Sequence, residues 1–176
     1  MPSKNTSSAD NQQERLKTTG WIVGFTDGEG CFSVSLIKNS TTKTGWQVFP
    51  EFVVTQEEKS LPALRKIQRF FECGKIFINR RNDNHKENLY RYCVRSISDL
   101  TGRIIPFFQS YPLQTAKQDD FNKFVKIIKL MEEKIHLSQA GMKKIARIIQ
   151  SMNRKKSARF LESSETIRQN PGAKSG

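Results

Sequence analysis

WIVGFTDGEG (Trp21–Gly30), followed at once by CFSVSLIK (Cys31–Lys38), decides how this chain folds. The first ten residues read as a helix that ends in a carboxylate. Gly24 and Gly28 stand four apart and share one helical face, where another backbone can approach closely. Asp27 and Glu29 fall at the C-terminal end, where the helix dipole disfavours negative charge. An acid there works against the helix, and a bound cation removes the conflict. In the next eight residues Phe32, Val34 and Leu36 alternate with Ser33, Ser35 and Ile37, which is the period of a strand.

Working outward, residues 1–14 are polar and are expected to be disordered, with the helix beginning near Arg15–Thr18. KNSTTKTG (38–45) is a basic, turn-rich connection. A second strand is read over Trp46–Thr55, with Trp46, Val48, Phe52 and Val54 on one face and Gln47, Phe49, Glu51, Val53 and Thr55 opposite. Pro50 predicts a bulge or an edge position there. Ser60 is expected to cap a helix with Pro62 in its first turn. Leu61, Leu64, Ile67, Phe70 and Phe71 give that helix its apolar stripe, and Gly74 is expected to end it. Strands follow at Lys75–Arg81 and Leu89–Ser96, joined by RRNDNHKEN. Ile76 and Ile78 point one way with Tyr90, Tyr92 and Val94; Lys75, Phe77, Asn79, Arg81, Arg91, Cys93 and Arg95 point the other. Helices are predicted over 98–108, 118–134 and 138–152, and the polar, basic tail 154–176 is expected to be partly disordered.

The resulting class is α+β. An α-β-β-α-β-β-α core has a four-stranded antiparallel, saddle-like sheet covered by helices on one face, with further helices at the C-terminal end. Residues 15–153 are read as a single domain.

The 176 residues suffice for a domain with a real core, and twelve Phe argue against disorder over most of the length. A net charge of +13 makes a polyanion the first partner to consider. No apolar run approaches the ~20 residues that span a bilayer, so no membrane partner is expected. MPSKNTSSADNQQER has no apolar signal core, and no import signal is read in it. Cys31, Cys73 and Cys93 lack CxxC spacing and are read as reduced, packed thiols. His85 and His136 are isolated and are read as surface residues.

The segment IVGFTDGEG (Ile22–Gly30) resembles the signature of the LAGLIDADG family of homing endonucleases and related intron maturases. The likeness extends over most of residues 15–135, because that family shares the same order of elements. No second copy of GFTDGEG occurs, and a single-motif member is implied to be a homodimer packed through Gly24 and Gly28. The resemblance implies that Glu29, the final acid before the closing glycine, is the catalytic carboxylate; the family accepts Asp or Glu there. Two Glu29 side chains near a two-fold axis repel, and divalent ions between them resolve the repulsion. Glu29 with the Gly28 carbonyl favours Mg²⁺ or Mn²⁺ over Zn²⁺. Asp27 is expected to support the helix end and not to bind metal.

Two further positions match the family by context. Gln56, in VTQ (Val54–Gln56), corresponds to a polar residue that orients solvent. Lys117, in AKQ (Ala116–Gln118), corresponds to a lysine near the cleaved phosphate, acting by charge stabilisation or by activating water. The plain alternative for each is a surface polar residue. Glu57-Glu58-Lys59 resembles the ExK of another nuclease class, but the upstream acid is missing and acids before a helix suit its dipole.

The uncovered sheet face is expected to enter the major groove. Strands of ~9 residues rise about 30 Å, near nine base pairs, so two subunits span a pseudo-palindrome of roughly 20 base pairs. Candidate base readers are Ser33, Ser35, Gln47, Lys75, Asn79, Arg81, Arg91 and Arg95, with Arg suited to guanine and Asn or Gln to adenine. Phe49, Val53 and Phe77 on that face are either contacts for thymine methyls or the sign of a one-residue register shift. The whole implies a homodimeric, metal-dependent endonuclease that hydrolyses both strands of a long DNA site. The alternative is an intron maturase, with RNA as partner, or a cleavage-dead binder of the same fold. An intron-borne member works in the organelle that encodes it, chloroplast or mitochondrion, and otherwise inside the cell.

Overall fold

The computed structural model describes residues 8–79 and 88–152. The expectations for residues 1–7, for the hairpin loop with Arg81 and His85, and for the tail from 153 lie outside the described residues.

Helix α1 runs Ser8–Glu29 and starts well before the expected Arg15. SADNQQER joins it because Gln, Glu and Arg are good helix formers, and Asp10 in the first turn suits the positive end of the dipole. Strand β1 (Gly30–Lys38) follows with no intervening residue. β2 (Trp46–Glu57) is two residues longer than predicted, so Gln56 lies inside the strand. α2 (Leu61–Phe71), β3 (Lys75–Asn79) and β4 (Leu89–Val94) complete the core order. α3 (Ile97–Asp99) passes through a π-helical turn (Leu100–Ile104) into α4 (Ile105–Ser110). The wide turn precedes Pro106, whose ring clashes with the carbonyl four residues back in a regular helix. α5 (Lys117–Glu132) and α6 (Gln139–Met152) follow.

The four strands lie in the order β1-β2-β4-β3. β2 is thus an inner strand, which corrects the edge position expected from Pro50. The ladder to β4 begins only at Phe52, opposite Val94. Pro50 therefore falls where β4 does not pair, and its missing N–H leaves no gap in that ladder. The alternation is as read: Val48, Pro50, Phe52 and Val54 are buried while Gln47 is exposed.

The backbone groups into two compact units. Among described residues the first comprises 8–31, 52–79 and 88–118. Its core is aromatic. The Phe52 ring meets Phe71 at 6.3 Å, Tyr92 at 6.2 Å and Phe108 at 5.6 Å between centroids. Leu64, Ile67, Val94, Leu100 and Ile104 are fully buried. The Tyr92 hydroxyl donates to the Cys73 carbonyl at 3.0 Å, and burial raises its pKa well above the ordinary phenol value. On α1, Trp21 stacks on Phe25 at 5.1 Å, and the Lys66 ammonium of α2 stands 4.5 Å over the Trp21 ring.

Two local expectations in this unit are corrected. Ser60 precedes α2 but makes no side-chain cap; a 3₁₀ turn over Glu58–Ser60 leads in, and the Leu61 N–H donates to the Glu58 carbonyl instead. Glu72, not Gly74, takes the left-handed conformation that ends α2, at φ 50°. Its carboxylate is held at 3.0 Å by Arg103, which also donates to the Phe71 carbonyl at 2.9 Å. Gly74 has φ 76°, and a Cβ there would lie 2.8 Å from the Cys93 carbonyl oxygen.

The second unit comprises 32–51 and 119–152. Phe32 meets Phe121 at 5.0 Å and Phe124 at 5.5 Å, with Val34, Val48, Ile127, Ile128, Met142, Ile145 and Ile149 also buried. Lys38 stands 5.7 Å over Trp46. His136 corrects the reading of a surface residue: it is half-buried in the turn Ile135–Leu137, and its Nδ1 is shielded without a partner. The turn folds it against the chain, which an isolated His in a sequence does not announce. The three cysteines are free, but Cys31 is exposed and Cys73 half-buried, so only Cys93 is the packed thiol expected. Cys31 points to the outer side of β1, opposite Phe32. Among the described residues no helix is long and apolar enough to cross a membrane.

Candidate active site

The end of α1 is tied to the start of α5 inside the first unit. Asp27 Oδ2 accepts from the Gln114 amide at 2.7 Å, and Oδ1 accepts from the Thr115 hydroxyl at 2.7 Å and its amide at 3.3 Å. Burial opposes ionisation of Asp27. The Gln114 amide, the two Thr115 donors and the charge of Lys117 outweigh it and hold the carboxyl below its ordinary value of 3.8. Asp27 supports the helix end, as the sequence implied.

Lys117 Nζ donates to the carbonyls of Thr26 and Asp27 at 2.8 Å each. These are among the last carbonyls of α1, which have no partner within the helix. A cation there satisfies them and complements the dipole. Lys117 and the signature helix are brought together across 90 residues of chain.

Glu29 is the last residue of α1, exposed, and among the described residues its carboxylate has no ion pair or hydrogen bond. Gly28 is exposed beside it. The next residue, Gly30, is buried because β1 starts there: a Cβ would lie 2.6 Å from the Thr26 methyl and 2.9 Å from the Thr26 carbonyl oxygen. Thr26 is fully buried, and among the described residues its hydroxyl has no hydrogen-bond partner. Gln56 lies opposite Tyr90 in the ladder, half-buried, on the side of β2 that carries Val54. It is not joined by a hydrogen bond to Glu29 or Lys117.

Gly20, Gly24 and Gly28 form an open row on α1, with nothing within 4 Å of a Cβ built on any of them. Among the described residues no cluster of three or more His, Cys, Asp or Glu could hold a metal. Glu29 with the Gly28 carbonyl is therefore a partial set of hard oxygen donors. It fits a magnesium-type cation that takes its remaining ligands from water and phosphate.

In the first unit the ladder places Lys75, Phe77 and Arg91 on a common side, while Arg81 lies outside the described residues. Lys75 pairs with Cys93, Phe77 with Arg91 and Thr55 with Arg91, so these side chains share one side. Val53 and Cys93, also paired, are buried on that side. The register is as read, with no one-residue shift. Lys75 and Arg95 are exposed and Arg91 is half-buried; Asn79 stands in β3 opposite Leu89. In the second unit Ser35 and Gln47 are exposed and Ser33 half-buried. Asn39 Nδ2 donates to Gln47 Oε1 at 3.1 Å. The Asp27 and Lys117 partnerships and the ring contact of Arg95 with Phe77 had no signal in the sequence, because each joins side chains that spacing alone does not connect.

Comparison with known proteins bears on this arrangement. The family model described as LAGLIDADG endonuclease matches residues 22–128. Probable intron-encoded endonuclease 2 of Neurospora crassa is 35% identical over 133 residues, covering 76% of this chain and 28% of that protein. The chain thus spans about a quarter of the length of the first curated relatives it matches. Among solved structures, the homing endonuclease I-TnaI superposes with a TM-score of 0.74 at 38% identity, covering 85% of this chain and 97% of that one. I-SmaMI, bound to uncleaved DNA in the presence of calcium ions, gives 0.75 at 36% identity, covering 84% of this chain and 48% of that one. With its glycine-bearing helix, terminal acid and four-stranded sheet accounted for, the chain belongs to the LAGLIDADG endonuclease family.

Proposed function

We propose that this chain is a subunit of a site-specific homing endonuclease that hydrolyses both strands of a long DNA target. The observation that carries the reading is Glu29, an acid at the wrong end of a helix, exposed and without a partner among the described residues, on the same helix end that Lys117 caps. The DNA-bound state of the relative I-SmaMI supports duplex DNA as the partner.

Glu29 and the Gly28 carbonyl would hold a divalent cation. Mg²⁺ or Mn²⁺, when bound, polarises the scissile phosphate and lowers the pKa of a coordinated water. Gln56 orients solvent by hydrogen bonding. Lys117 keeps a positive charge at the helix end, where it offsets the negative charge gathering on phosphate in the transition state. Asp27 keeps Lys117 and the helix end in register. Lys75, Arg91, Arg95, Asn79, Ser33, Ser35 and Gln47 read bases in the major groove, together with Arg81.

Cutting both strands needs two such sites. The open row of Gly20, Gly24 and Gly28 supports close packing of α1 against another helix of the same kind. I-SmaMI, of which this chain covers about half, is consistent with paired units. The partner proposed is a second copy of this chain. The intron-encoded relatives support an organellar gene, with the enzyme acting where the intron lies.

The test is selection of cleavable duplexes from a randomised library with Mg²⁺. A symmetric site of about 20 base pairs is the expected product. No cutting under any divalent ion, together with tight binding of intron RNA, would sink the endonuclease reading in favour of the maturase. An asymmetric site requiring a second, different chain would sink the homodimer.

A further inference from the structure

On the sheet side of Lys75 and Arg91, one aromatic ring lies outside the core. Phe77 is 42% exposed and faces Arg91 across the ladder. The Arg95 guanidinium stands 5.2 Å from the centre of the Phe77 ring. Arg95 lies four positions past Arg91, about 13 Å along extended chain. Its head reaches Phe77 only if its stem runs back along the sheet surface. Cys93 lies between Arg91 and Arg95 on this same side and is 3% exposed, although it faces away from the Phe52 core. A pocket of about 180 Å³ remains, with Cys93, Phe77, Lys75 and Arg95 among its walls.

We propose that Phe77 is a positioning residue that holds the Arg95 guanidinium so that it reads one guanine in each half-site. The inference rests on the endonuclease reading above and deepens it. A guanidinium that meets a ring through its π face keeps its in-plane N–H donors for hydrogen bonding. Those donors match O6 and N7 of guanine in a bidentate pairing. An arginine already leaning on a ring loses less rotamer freedom on docking than one that swings in solvent. Lys75, across the pocket, addresses the neighbouring base step or its phosphate.

The experiment measures binding of the full chain to duplexes carrying every base at every position of the selected site. Four proteins are compared: wild type, Arg95→Ala, Phe77→Leu and Phe77→Tyr. Leu keeps apolar bulk without a ring; Tyr keeps the ring. Arg95→Ala should erase a guanine preference of about tenfold or more at one symmetric pair of positions. Phe77→Leu should weaken the preference at those same positions about two- to fivefold, leaving duplexes without that guanine unaffected. Phe77→Tyr should restore the wild-type profile.

A Phe77→Leu profile that superimposes on wild type would overturn the proposal. So would an equal loss on every duplex, or a Tyr variant as impaired as Leu. An unchanged profile in Arg95→Ala would remove Arg95 from base reading and the proposal with it. A sharp wild-type profile with silent Phe77 variants leaves the endonuclease reading standing and fells this inference alone. A wild type without base preference anywhere fells both.

Discussion

The last turn of α1 holds two acids in opposite circumstances. Asp27 is gripped by three donors from the chain before α5, and Lys117 satisfies the carbonyls around it. Glu29, two residues on, meets no partner among the described residues. A helix C-terminus is unfavourable for both. The protein satisfies one with its own donors, while the other stays exposed. The contrast separates an acid tied into the fold from an acid open to solvent, and the proposed cation would meet the second, although both stand in the same short motif.

The sharpest break of that contrast is Glu29→Gln. Cleavage of the selected duplex should fall by at least about 10²-fold, while the melting temperature stays near wild type because nothing in the fold leans on this carboxylate. Cutting that persists would refute its role, and a large drop in melting temperature would refute its independence from the fold. Next is the open glycine row. Gly24→Leu should convert a dimer to a monomer in sedimentation with the helical signal intact; an unchanged mass rejects this face as the pairing surface.

Asp27→Asn should show the reverse pattern to Glu29→Gln. Stability in urea should drop by about 0.5–1.5 kcal/mol near pH 7, since the Gln114 and Thr115 donors lose a charged acceptor. The native carboxyl lies below 3.8, so its stabilisation is complete above that value and is lost as pH falls through the native one. The gap between wild type and Asp27→Asn should therefore be level at neutral pH and close below pH 3.8. A gap that widens in acid would contradict the clamp. The smallest effect separates two neighbouring glycines. Gly30→Ala should cost about 1 kcal/mol or more, because Thr26 backbone blocks the new methyl. Gly28→Ala, with open space, should leave the isolated subunit at least as stable.

The elements with strong periodicity were legible in advance. Alternation placed Phe32 and Val34, then Val48, Phe52 and Val54, in the core, and the hairpin register followed from Ile76 and Ile78 matching Tyr92 and Tyr90. Period fixes which side a residue faces. It does not say where a long side chain lies, so Arg95 over Phe77 was out of reach. The start of α1 was missed because a polar segment without an apolar stripe gives no periodic signal. Glu72 took the left-handed position expected of Gly74, and the Arg103 that meets its carboxylate comes 31 residues later, beyond the reach of local pattern. The acid at Glu29 stood out because its place on the helix is unfavourable. The clamp on Asp27 stayed hidden because its donors come from 87 residues away.

The chain has two tryptophans, and each unit holds one under a lysine: Trp21 below Lys66 and Trp46 below Lys38. Intrinsic fluorescence therefore comes ready-partitioned. Replacing Trp46 by Phe leaves an emitter on α1 itself, near its glycines, and replacing Trp21 leaves one beside the first hairpin. Two single-emitter proteins, followed through one denaturant titration, would report whether the two units of this chain melt in concert or in sequence.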